Sequence, residues 1–91
     1  LSFAKQKELK KLLRPFEKNI ETLEKNMTKK EDDLCICLEN LKTAQRQGSQ
    51  TKIETFEIEK NFLRTEIEKL FEKLYEENEK KYKTQELFLT M

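Results

Sequence analysis

The stretch AQRQGSQT, residues 44 to 51, holds the only glycine of a 91-residue chain and lies in its longest run without a large apolar side chain. Whether the backbone turns back here or one helix runs straight through decides the fold. Gly48 is suited to end a helix in the left-handed conformation, and Thr51 with Glu54 has the T-x-x-E spacing of a capping box for a new helix. On the other side, the stretch lacks proline, and Gln45, Arg46 and Gln47 are all good helix residues. One glycine inside a helix costs only about 1 kcal/mol. Local chemistry leaves the two readings balanced.

The apolar pattern on either side is regular. Steps of four and three from Leu9 reach Leu13, Phe16, Ile20, Leu23, Met27, Lys30, Leu34, Cys37, Leu41 and Ala44, and only Lys30 is polar. A second run, Ile53, Phe56, Lys60, Leu63, Ile67, Leu70 and Leu74, follows the same rule with only Lys60 polar, and Phe62 and Phe71 beside it predict a wider stripe. Sustained heptads of this kind bury a narrow seam against a partner helix. The two runs are out of phase, because the twelve residues from Leu41 to Ile53 are not a whole number of heptads. A step of eleven through Leu34, Gln45 and Phe56 keeps one face toward a partner. The chain therefore reads as heptads over 9–44, a hendecad-like centre over 34–56 and heptads over 53–74.

Composition supports helix and argues against a globular monomer. Charged residues make up 41% and hydrophobic ones 35%, too few to fill a compact core, and one Gly and one Pro leave little turn chemistry. Pro15 falls within the apolar spacing, which favours a tolerated kink over a helix start. Glu76, Glu77 and Glu79 stand four residues before Lys80, Lys81 and Lys83, the favourable order for ion pairs on a helix face. No apolar run reaches the roughly 20 residues that span a bilayer, and no signal peptide is present. The chain reads as cytoplasmic. Its first residue, Leu1, suggests a segment of a longer protein.

No sign of chemistry emerges. Without histidine, the commonest general base and the usual nucleophile pairs are missing. Cys35 and Cys37 stand about 200° apart on a helix and have no third ligand, so no metal site is expected, and one thiol should be core and the other surface. No cofactor is expected either, since one glycine cannot build a phosphate loop. Lys5, Lys7, Lys10, Lys11 and Arg14, against Glu8, read as a solvated face. Phe16 and Phe56 read as seam residues, not base-stacking platforms. With 19 basic and 18 acidic residues interspersed, neither nucleic acid nor a membrane is implied as partner.

Two stretches carry a family resemblance. Residues 61 to 80, NFLRTEIEKLFEKLYEENEK, resemble the coiled-coil region of tripartite-motif (TRIM) ubiquitin ligases in the order Phe62-Leu63, Glu66 and Glu68, Leu70-Phe71, Leu74, then Glu76, Glu77 and Glu79. ELKKLLRPFEKNIETLEK, from Glu8, is similar to the opening of that region. The chain departs from the family pattern at Glu59, three after Phe56, where an apolar residue is usual. The resemblance implies a long helix paired antiparallel with a second copy, a scaffold holding RING and B-box domains at opposite ends. Ligase activity would belong to the RING, and other family members or substrate proteins would be further partners.

The expectation is all-α: a single helix from about Ser2 to Lys83 forming an antiparallel coiled-coil homodimer, with residues 84–91 as an apolar end. Its dimer interface would be Leu9, Leu13, Phe16, Ile20, Leu23, Met27, Leu34, Cys37, Leu41, Ala44, Ile53, Phe56, Leu63, Ile67, Leu70 and Leu74. The alternative fold is a two-helix hairpin broken near Gly48. The alternative function is a structural or tethering coiled coil of a cytoskeletal or adaptor protein without ligase activity.

Overall fold

The computed structural model describes residues 2–91 and consists of two helices, α1 (Phe3–Gln47) and α2 (Gln50–Leu89). No strand occurs among the described residues. The all-α expectation holds, but the single helix does not: the chain breaks at Gly48 and Ser49, as in the hairpin alternative.

The break follows from a short set of backbone bonds. Gly48 adopts φ 69°, the left-handed region that glycine enters without steric cost. Its N–H donates to the Gln45 carbonyl at 3.2 Å, and the Ser49 N–H donates to the Ala44 carbonyl at 3.1 Å. These are the two bonds of a Schellman cap, and they satisfy carbonyls that a helix end otherwise leaves open. The Ser49 carbonyl then accepts the first bond of α2 from the Ile53 N–H at 3.0 Å. Ser49 is therefore the N-cap position of α2, one place before its first helical residue, Gln50. Thr51 lies inside the first turn, its carbonyl accepting from Thr55 Oγ1 at 2.9 Å, while Gln50 donates to the Glu54 carboxylate at 3.3 Å. The Thr51–Glu54 capping box is accordingly replaced by a start two residues earlier.

At its other ends the chain is capped locally. Ser2 Oγ accepts from the Lys5 N–H at 3.3 Å, the arrangement of an N-cap serine, and Thr90 donates to the Leu87 carbonyl at 3.1 Å. Pro15 sits within α1 and does not divide it. α2 also runs past Lys83 to Leu89, so most of the expected apolar end is helical.

The chain forms two compact units. One is Asn26–Phe71, the turn with the helix segments that flank it; the other joins the chain up to Lys25 with Glu72–Met91. In each unit a segment of α1 lies against an antiparallel segment of α2. Cys37, Leu41, Ala44 and Leu63 are the buried apolar residues of the turn unit, and Leu13 is buried in the other. The small side chains of Cys37 and Ala44 suit a close approach of helices, and the Cys37 thiol donates to the Phe56 carbonyl at 3.3 Å.

A candidate association seam

The sixteen apolar positions expected to form an interface are all buried or half-buried within the chain's own units. The two polar seam positions are half-buried as well, and the structure shows how each is tolerated. The Lys30 ammonium lies 5.9 Å from the centre of the Phe62 ring, so its stem covers apolar surface while the charge meets the ring's negative face. Lys60 pairs with Glu57 at 2.8 Å. Each lysine keeps its charge compensated at the seam's rim.

The seam extends further than its apolar residues indicate. Beyond Leu74 the four-three spacing continues through Glu77, Lys81, Thr84 and Phe88, all half-buried. Glu77 accepts a hydrogen bond from Asn19 at 3.4 Å, and Lys81 pairs with Glu17 at 3.8 Å. Asn19, Glu77, Glu17 and Lys81 link the two helices of their unit, and hydropathy could not have found them; continuing the spacing past Leu74 would have reached Glu77 and Lys81. Lys81 thus turns across to Glu17 and away from the expected helix-face partner Glu77, which pairs with Lys80 at 3.5 Å. Both contacts are partly exposed and each contributes at most about 1 kcal/mol.

Phe62 and Phe71 do not widen the stripe; they are exposed, because two helices bury only a narrow seam. Other apolar side chains are left outside in the same way. In the turn unit these include Ile36 and Ile58. In the other unit Tyr75, Tyr82 and Leu89 stand seven residues apart along α2, all exposed.

The two thiols divide as the heptad phase requires, with Cys35 exposed and Cys37 buried at 1% exposure. The Cys37 pKa is raised above its ordinary value near 9.0, mainly by burial, then by the Glu59 carboxylate, with Lys60 opposing and Glu57 adding to the rise. Among the described residues no three His, Cys, Asp or Glu side chains are grouped as a metal site, and no helix is long and apolar enough to cross a membrane. The grooves between the helices are open; one is bordered by Asn19, Thr22, Leu23, Lys73, Glu76 and Glu77. This lining combines carboxylates and a lysine with no nucleophile held beside a base. What the seam offers is helix pairing. No family model, no curated protein and no solved structure matches this chain.

Proposed function

We infer that this chain is a structural helix-pairing module whose work is to tether and space what is attached to it, without chemistry of its own. The observation that carries this reading is the seam: both helices spend their regularly spaced apolar residues on each other, and the intervening positions are largely charged. Residues from both chain ends belong to one unit, so flanking segments would leave the module side by side. Fluorescent domains fused before Leu1 and after Met91 test this. Energy transfer between them should be efficient and should collapse in the double variant Leu13→Asp/Leu74→Asp. Transfer unchanged by those substitutions would overturn the reading.

The resemblance of residues 61 to 80 supports a finer proposal, the dimerisation spacer of a ubiquitin ligase. That proposal requires two copies pairing through the same seam. It also requires a zinc-binding Cys/His domain in the same polypeptide, and sequencing the parent transcript upstream of Leu1 is the direct check.

A further inference from the structure

In the unit that joins the chain up to Lys25 with Glu72–Met91, α2 carries two stripes side by side. The inner one, Leu74, Glu77, Lys81, Thr84 and Phe88, is half-buried against α1 and is mostly polar. One residue later Tyr75, Asn78, Tyr82, Gln85 and Leu89 repeat the same spacing. Here the apolar side chains lie outside: Tyr75 is 61%, Tyr82 64% and Leu89 48% exposed. Among the described residues of this unit, Leu13 is the one buried apolar side chain. A helix with two adjacent heptad stripes is patterned to contact two neighbours, and α1 covers only the first stripe.

The charges on the two borders of the outer stripe differ in sign. One side of the helix pair is the groove bordered by Asn19, Thr22 and Leu23 of α1 and Lys73, Glu76 and Glu77 of α2. The outer stripe lies on the opposite side, that of the Glu17–Lys81 pair. There the heptad frame places Lys7, Lys10 and Arg14 of α1 along its border toward Tyr82 and Leu89. All three are exposed, and none is in an ion pair among the described residues. Further along α1, Glu17 and Glu21 are compensated by Lys81 and Lys25. On the far border Glu72, Glu79 and Glu86 follow at seven-residue steps, and the Tyr75 hydroxyl donates to Glu79 at 3.4 Å. We propose that this stripe docks one amphipathic helix of a partner protein, with apolar residues at four-three spacing, acidic side chains on the flank toward α1 and basic ones on the flank toward the glutamate row. Heptad spacing calls for a helix, and the split charges select its flanks. A lipid surface or a nucleic-acid strand is anionic throughout and would be repelled by Glu72, Glu79 and Glu86, while a second copy presents two helices to a groove one helix wide. The proposal rests on the helix-pairing reading and names its partner.

Selection from a displayed library of helical peptides, with the full chain as bait, tests this. Each peptide has about three heptads with leucine at the four-three positions, and its two flanks vary independently among Glu, Gln and Lys. Peptides with Glu on one flank and Lys on the other should be enriched about tenfold over those with one charge on both. Tyr75→Ser/Tyr82→Ser and, separately, Lys10→Glu/Arg14→Glu should each weaken the best peptide about tenfold or more in fluorescence anisotropy. Both variants should melt as the native chain does, because these side chains are exposed. No enrichment, enrichment of a single charge on both flanks, or an affinity that neither variant changes would overturn the proposal. So would binding of mixed phosphatidylcholine–phosphatidylserine vesicles or of an oligouridylate that these variants abolish, which would assign the stripe to an anionic surface. Self-association in sedimentation that Tyr75→Ser/Tyr82→Ser abolishes would assign it to a second copy instead. Energy transfer between domains fused at the chain ends depends on the seam and not on this stripe, so the tethering function and the docking site fail separately.

Discussion

Two residues apart in sequence, Cys35 and Cys37 experience different physics. Cys37 is enclosed between the helices with its thiol bonded to the Phe56 carbonyl, whereas Cys35 faces solvent. A thiol reacts as its thiolate, and burial beside Glu59 disfavours that form at Cys37. Maleimide should therefore label Cys35 first, with Cys37 labelled only as the helices open; equal rates measured by mass spectrometry would contradict the seam phase. The raised pKa also makes stability depend on pH. The folded state holds the Cys37 proton more tightly than the unfolded chain, so its contribution is complete below the ordinary value near 9.0 and is lost as pH rises through the folded value. Urea unfolding should accordingly show stability declining above about pH 9 in the native protein, and Cys37→Ala should remove that part of the decline. This division of the thiols was legible in the sequence, because the heptad frame places Cys37 on the seam and Cys35 off it.

Among the elements, the turn decides the fold and was the least legible. Gln45, Arg46 and Gln47 favour helix as strongly as Gly48 favours a cap, so residue preferences alone leave the choice open. The informative signal was the twelve-residue phase slip from Leu41 to Ile53. In one helix it demands a change of periodicity; in two helices joined by a turn it demands nothing, since each helix sets its own phase. At dilutions where the chain is monomeric, Gly48→Ala should lower stability by about 1–2 kcal/mol, the cost of a side chain in the left-handed region. Thermal melts that show no loss would contradict the cap. Pro15 is the opposite case. It lies within α1 on an exposed face, where it removes one helical hydrogen bond and crowds the preceding turn. Pro15→Ala should stabilise the protein by about 1–3 kcal/mol in denaturant titration.

For the whole chain, stability rests on a narrow resource. Among the described residues five apolar side chains are buried, while eleven large hydrophobic residues are exposed. With so little enclosed, single seam positions count heavily: a charge at Leu63, 5% exposed, has neither water nor an opposite charge and should cost about 3 kcal/mol or more. Circular dichroism of Leu63→Asp should show loss of most helix at room temperature, and wild-type melting would contradict the assigned core. The seam was legible because four-three spacing records which face is covered; it does not record whether the covering helix belongs to the same chain. The links from Asn19 to Glu77 and from Glu17 to Lys81 were not legible, because polar residues carry no hydropathy signal; Glu77 and Lys81 read only as an ion pair on one helix face. The central claim, that the chain turns back on itself at Gly48–Ser49, is tested most directly by single-molecule energy transfer, at dilutions where no second copy is present. Dyes would be placed at Lys30→Cys and Phe62→Cys in a Cys35→Ser/Cys37→Ala background. The native side chains at these positions meet at 5.9 Å across the turn unit, so transfer should be near complete; a separation near 48 Å, the length of uninterrupted helix between them at 1.5 Å per residue, would contradict the turn.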